Sequence, residues 1–337
     1  MTRFSILLSF ILVIQVSSFG QEKVHPNDGR NVVFFEDKSR TDTNNQAAYN
    51  PKVTIIPHLE IPKTTPKDHI VIHTGYSLLY NEEYEQANWV AYELTKEETK
   101  KQFKRGNKFM VDPLITTGSA DNADYARSGY DRGHMAPAAD MSWSEITMKE
   151  SFYYSNMSPQ VPAFNRGIWK SLEELVRTWA IENEAIYVVT GPVLTKGLPT
   201  IGHDKVAVPA YYYKVILDYT EPGIKGIGFI LPNEGSGEPL QNFAVSIDSV
   251  ESVTGIDFFP LLPDEQEKHI ERTLSVNDWS WKSTSTAKYK EEAPENTDEP
   301  AIAEPAGTNT EDQIFTGPRG GKYRISKSGR KVYIKGE

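Results

Sequence analysis

The sequence predicts an α+β domain with a largely antiparallel sheet flanked by helices. Two observations lead there. Apolar runs rich in Val, Ile, Tyr and Phe (Ile186 to Thr190, Val206 to Asp218, Gly226 to Leu231) are separated by Gly191-Pro192, Glu221-Pro222-Gly223 and Pro232-Asn233. This is the pattern of strands divided by turns. In addition, Ile168, Trp169, Leu172, Leu175, Val176 and Trp179 recur at helical spacing between Asn165 and Asn183, which places them on one apolar stripe. Asn88 to Gln102 is expected to form a second helix. Strands and helices mixed in this way pack as layers around one core.

The chain has 337 residues, ample for such a core. Residues 1–20 read as a signal peptide: Arg3, the apolar run Ile6 to Val16, then Ser18-Phe19-Gly20 before Gln21. The apolar run is too short to span a membrane comfortably, so the expected destination is the periplasm or the exterior. Residues 21–52 are polar and aperiodic, a poorly ordered lead-in. Residues 53–278 are the expected globular domain. Residues 279–312 read as an acidic, proline-containing linker: Glu291 to Asp312 holds eight acidic residues and no basic one. Residues 313–337 reverse the charge, with Arg319, Lys322, Arg324, Lys327, Arg330, Lys331 and Lys335 against the lone acid Glu337. Lys322 to Ile325 and Lys331 to Ile334 alternate as short strands would, and predict a small basic β module; a disordered basic tail is the competing reading.

The absence of cysteine excludes disulfides, thiolate metal sites and a cysteine nucleophile. Formal net charge is −10, which on its face argues against nucleic-acid binding. Net charge governs solubility and long-range steering, however, whereas binding depends on the field at the site.

The chemistry concentrates at Asp131-Arg132-Gly133-His134 and, 31 residues beyond the histidine, at Asn165. An imidazole with an ordinary pKa of about 6.5 suits proton removal near neutrality. An amide oxygen suits Mg²⁺, which prefers hard oxygen ligands and keeps several waters. A histidine base beside one hydrated Mg²⁺ is the minimum equipment for phosphodiester hydrolysis, so the pairing points to a nuclease. Asp131 could orient the turn or the imidazole, and Arg132 offers planar donors to phosphate. Glu173 could hold a metal-bound water, and Arg177 could neutralise charge building on phosphoryl oxygens. Asn156 could position the Asn165 loop or the substrate. Each feature also has an ordinary explanation. Asn is a common N-cap, Glu173 and Arg177 are spaced to pair on a solvated helix face, and a lone histidine is usually structural. His25, His58, His69, His73, His203 and His269 form no zinc-type spacing and are read as structural or peripheral.

Taken together, these segments resemble the DNA/RNA non-specific endonucleases with a ββα-metal active site, which include secreted bacterial nucleases and mitochondrial endonuclease G. The resemblance spans about residues 53 to 275. It rests on His73-Thr74-Gly75-Tyr76, Ala87-Asn88-Trp89-Val90, Tyr130 to His134, Asn156 to Gln160, Asn165 to Glu173, Thr190-Gly191-Pro192, Val208-Pro209 with Tyr213-Lys214, and Thr254-Gly255 with Phe258-Phe259-Pro260. It implies a ββα-metal nuclease domain with His134 as general base and Asn165 as the direct Mg²⁺ ligand, Mn²⁺ being an acceptable substitute. Arg132, Glu173 and Arg177 are implied supports, and Arg105 is the nearest match to an upstream arginine used by some members. DNA and RNA are the implied substrates, cut to leave 5′-phosphate ends. The C-terminal Gly-Pro-Arg-Gly-Gly segment resembles small basic adaptor modules. Two other readings stay open: a catalytically silent binder of nucleic acid or wall polymer, and a phosphodiesterase with another substrate. A homodimer is also open, and no inhibitor partner is legible.

Overall fold

The computed structural model describes residues 56–220 and 223–282, and the backbone of three short strands beyond them. The expected signal peptide, the lead-in and most of the acidic linker lie outside the described residues. Strands β1 (Ile70–Ile72), β2 (Ser77–Asn81) and β3 (Gln86–Thr95) come first, followed by helix α1 (Asn122–Tyr125). Next are β4 (Asp131–His134), helix α2 (Glu145–Glu150), β5 (Met157–Gln160), the short helix α3 (Pro162–Phe164) and helix α4 (Lys170–Glu182). Then follow β6 (Ala185–Pro192), β7 (Thr200–Ile201), β8 (Val206–Ala207), β9 (Tyr211–Asp218), β10 (Lys225–Pro232) and β11 (Ala244–Val245). Helices α5 (Ile247–Thr254) and α6 (Asp264–Arg272) close the domain.

Seven strands form one sheet in the order β1-β2-β3-β6-β9-β10-β11, and every neighbouring pair is antiparallel. The expected α+β antiparallel architecture is therefore present. Along β10, Ile227, Phe229 and Leu231 face the core that includes Leu172, Leu175, Val176 and Trp179 of α4. Gly226 and Gly228 point the other way; a Cβ on either would lie 2.6 Å from a side-chain carbon of Ile247 or Val250 on α5. Successive strand residues face opposite sides, so α4 covers one face and α5 covers the other.

The segment from Asn88 to Gln102 is not a helix; its first half lies in β3. Trp89, Val90 and Tyr92 favour the extended backbone, and β3 lies between β2 and β6 with both faces buried. Lys96, Glu97 and Glu98 lie in the turn after it. There Glu98 Oε2 accepts from the Thr95 backbone N–H at 2.9 Å. The run Val206 to Asp218 is likewise two strands, β8 and β9, divided at Pro209, which has no N–H for a ladder. The domain extends past residue 278: Trp279 is buried with its ring centre 4.4 Å from that of Trp179. Near the C-terminus, Ile314–Thr316, Lys322–Ile325 and Lys331–Tyr333 form a separate three-stranded antiparallel sheet, in keeping with the expected basic β module.

Candidate active site

The chemistry-bearing segment is a two-stranded ribbon outside the main sheet. β4 pairs antiparallel with β5, Asp131 opposite Gln160 and His134 opposite Met157, and the chain then enters α3 and α4. This is a β-β-α unit. Gly133 permits it, since a Cβ there would lie 2.2 Å from the Gln160 side chain.

His134 ends β4 and is 7% exposed. Its ring meets Phe152 edge-on at 4.9 Å and Phe109 at 5.9 Å. Nε2 is buried without a hydrogen-bond partner. Burial, assisted by the positive charge of Arg105, pulls the imidazole pKa down to about 3, so the ring is neutral with an open lone pair across the physiological range. A nearby anion such as a bound phosphate would strengthen it as a base. Asn156, fully buried, holds the turn beyond it: Oδ1 accepts from the Ala136 N–H at 2.9 Å, while Nδ2 donates to Ala136 O at 2.9 Å and Ser151 O at 2.8 Å. Asn156 thus positions the His134 turn, not the Asn165 loop or the substrate as the sequence led us to expect.

Asn165 is not an N-cap. Pro162 starts the helix at its first position, and the chain is already helical when it reaches Asn165. Residues Asn165–Trp169 form a π-turn, interrupted at Gly167 (φ −107°, ψ −113°), before α4 continues. Such turns recur at functional sites. The Asn165 Nδ2 donates to Asp131 Oδ2 at 2.9 Å, leaving the carbonyl end as the one a hard cation would take. Asp131 also accepts from Arg166 Nε at 2.8 Å and Nη2 at 2.6 Å. Burial raises the Asp131 pKa, but the Arg166 and Asn165 hydrogen bonds outweigh it and hold the group below its usual value. Asp131 therefore orients Asn165, three residues along the strand from His134.

Arg132 is clasped from the protein side. Nε donates to Tyr154 Oη at 3.1 Å and Nη2 to Asn122 Oδ1 at 2.6 Å, with the guanidinium carbon 5.2 Å from the Phe109 ring centre. The guanidinium has five N–H donors, so these two bonds leave capacity for a phosphate.

Glu173 and Arg177 do not form a solvated surface pair. Arg177 has 17% of its side chain exposed, and Nη1 donates to Asp140 Oδ1 at 2.7 Å; the Tyr92 hydroxyl donates to Asp140 Oδ2 at 2.9 Å. Burial opposes the charge on Arg177, yet Asp140 and Glu173 together raise its pKa. Burial raises the Glu173 pKa, while Lys214, Arg177 and Arg105 resist the rise. Lys214 on β9 is wholly buried with Nζ unpartnered, 4.7 Å from the Trp169 ring centre. Asp140 and Lys214 were missed as site residues. Nothing distinguishes Asp140 in the sequence, but a lysine inside the apolar run of β9 was a visible anomaly. Arg105 exerts its charge on both His134 and Glu173, and its guanidinium lies 5.6 Å from the Phe152 ring centre.

His73 is structural as expected: its Nε2 lies 2.9 Å from Asp112 Oδ2, both side chains being buried.

A family model described as DNA/RNA non-specific endonuclease matches residues 58–265, and one described as PBCV-specific basic adaptor domain matches residues 313–337. The chain is 36% identical over 211 residues to the mitochondrial nuclease EXOG of Danio rerio, covering 58% of this chain and 62% of that relative. It is 38% identical over 208 residues to nuclease C1 of Cunninghamella echinulata var. echinulata, covering 56% of this chain and 81% of that relative. The chain thus spans about three fifths of the length of the mitochondrial relative. A crystal structure of an EndoG/EndoGI complex matches with a TM-score of 0.57 at 34% identity, covering 62% of this chain and 91% of that one. The β-β-α unit and the match across residues 58–265 agree, and the chain belongs to the DNA/RNA non-specific endonuclease family.

Proposed function

We propose that this protein is a secreted or periplasmic, Mg²⁺-dependent endonuclease that hydrolyses DNA and RNA and leaves 5′-phosphate ends. The observation that carries the proposal is the junction of β4 with the π-turn. His134 closes the strand as a neutral imidazole, and Asp131 at its start turns the amide of Asn165.

The donor set fits a hydrated hard cation. Among the described residues, every cluster of three His, Asp or Glu ligands lies elsewhere, so a cation here would depend on the Asn165 oxygen and on waters. Mg²⁺ tolerates such a shell better than most ions. When bound, it would supply positive charge beside the scissile phosphate and the departing 3′ oxygen. His134 takes a proton from the attacking water. Arg132 offers its remaining N–H groups to a phosphate oxygen. Arg177, committed to Asp140, is a positioning residue that also steadies the charge on Glu173. Glu173 can hold a water near Asn165 by hydrogen bonding. Contacts directed to phosphate and sugar would give little base selectivity.

The test is digestion of plasmid and RNA by the mature protein, with and without chelator, beside His134→Ala. Cleavage should require the divalent ion and fall by about 10²–10⁴-fold in the variant, which should still bind duplex DNA. Chelator-resistant cleavage, or equal cleavage by His134→Ala, would reject the mechanism. Binding without any cleavage would favour the silent binder, and hydrolysis of a small ester alone would favour another phosphodiesterase.

A further inference from the structure

Away from the β-β-α unit, α5, α6 and the loop between them carry five carboxylates in two overlapping triads. Oxygens of Asp248, Glu251 and Glu271 lie within 4.8 Å of one another, and so do those of Asp257, Glu267 and Glu271. Glu271 belongs to both. It is 8% exposed, and its Oε1 is buried without a hydrogen-bond partner. Leaving a buried carboxyl oxygen unmet is costly, and this carboxyl group sits among four other acids.

The compensation within the chain is partial. Lys63 Nζ lies 2.6 Å from Asp257 Oδ2, and the Phe258 N–H donates to Glu251 Oε1 at 2.8 Å. Neither reaches Glu271. Burial, followed by repulsion from the neighbouring acids, pushes Glu251 up to about 7 and Glu271 up to about 8. By contrast, in the group Asp121, Asp124 and His203 the carboxylates are used by their own helix cap and by His203.

We propose that Asp248, Glu251, Asp257, Glu267 and Glu271 form a calcium site, separate from the active site, with Glu271 as its central ligand. The chemistry selects the ion. All the donors are hard oxygens, with no imidazole or thiolate among them, and they come from two helices and a loop. Ca²⁺ accepts six to eight such oxygens at about 2.3–2.6 Å in flexible geometry, and five carboxylates can supply most of that shell. Mg²⁺ prefers to keep several waters and one or two carboxylates, so a crowd of five carboxylates suits it less well. Bound there, Ca²⁺ ties α5 to α6, and Ile247, Val250 and Ile270 of these helices pack against Gly226 and Gly228 of β10. The ion would thereby fasten one layer of the fold to the sheet.

The test is the melting temperature of the full-length protein in chelator and in millimolar CaCl₂. Ligand that binds only the folded state raises stability by mass action, and an increase of about 3–8 °C is expected for a domain of this size. Glu271→Gln should melt no lower than the parent in chelator at pH 7, because with a pKa of about 8 the carboxyl is already largely neutral there without the ion, and should lose the calcium increment. Asp248→Asn, at the exposed rim, should need a higher calcium concentration for the same increment and guards against misfolding of the first variant. Asn165→Ala should keep the full increment. No increment in the parent, a full increment in Glu271→Gln, or its loss in Asn165→Ala would each overturn the site.

Discussion

Lys214 Nζ lies 4.7 Å from the centre of the Trp169 ring and has no hydrogen-bond partner, although the residue is wholly buried. Trp169 ends the π-turn that begins at Asn165, so the lysine supports the turn from beneath while its charge steadies Glu173. Lys214→Met preserves volume and removes the charge. The Glu173 pKa should then rise further. Activity at pH 7 should fall by about 10–100-fold, since loss of one charge partner in a buried cluster amounts to roughly 1–3 kcal/mol. Raising the pH to 9 should recover more activity in the variant than in the parent. A pH–rate profile with an unchanged acid limb would remove Lys214 from the site's electrostatics.

The buried imidazole makes a second prediction. Unfolded His134 would titrate near its ordinary 6.5, whereas in the fold its pKa is about 3. Between these values the unfolded state binds the proton and the folded state resists it, so stability is lost as pH falls from about 6.5 toward 3. Melting at pH 7 and pH 5 should show a larger drop for the parent than for His134→Gln. Equal drops would mean that the imidazole is freely protonated in the fold.

Asn165→Ala removes the oxygen assigned to the cation while leaving Asp131 paired to Arg166. The Mg²⁺ concentration giving half-maximal cleavage should rise by roughly 10-fold or more, as expected for a disturbed metal site, with DNA binding in chelator unchanged. Titration of cleavage against Mg²⁺ decides the matter; an unaltered midpoint would place the ion on another ligand.

Gly133→Ala would drive a methyl to 2.2 Å from the Gln160 side chain. Overpacking of this kind costs about 1–3 kcal/mol, and the separation of β4 from β5 should cost activity as well. Chemical denaturation would register the first effect and plasmid nicking the second. A variant with parental stability would show that Gln160 can swing aside.

Truncation after Glu311 removes the basic segment with Arg319, Lys322, Arg324, Lys327, Arg330, Lys331 and Lys335. Cleavage at low salt should persist, while affinity for DNA and its slope against salt should both decrease, because fewer counterions are released. Retention of both would show that this segment does not grip nucleic acid.

The strands β6 and β10 were legible as β-branched and aromatic runs ended by clear breakers, and the helix α4 by its helical period. β3 was not. Its run passes without a Gly or Pro breaker into the charged turn at Lys96 to Glu98, so nothing in the composition marks where the strand ends. At the site, Asp131, Arg132, His134 and Asn165 were legible through sequence proximity and residue type. What they do for one another was not: the orienting bond from Asn165 to Asp131 and the clamp of Asn156 on Ala136 join residues 20 or more positions apart. Asp140 and Lys214 reach Glu173 and Arg177 only through the packing of α4 on the sheet, and no spacing announces such a meeting.

The ribbon pairs β4 with β5 across 22 intervening residues, whereas the sheet hairpins β2–β3 and β9–β10 close over four and six. Short loops close fast and long ones slowly. The sheet hairpins can therefore form before the ribbon closes, and mutations in them should register in the refolding rate, while those in the ribbon should register chiefly in the rate of unravelling.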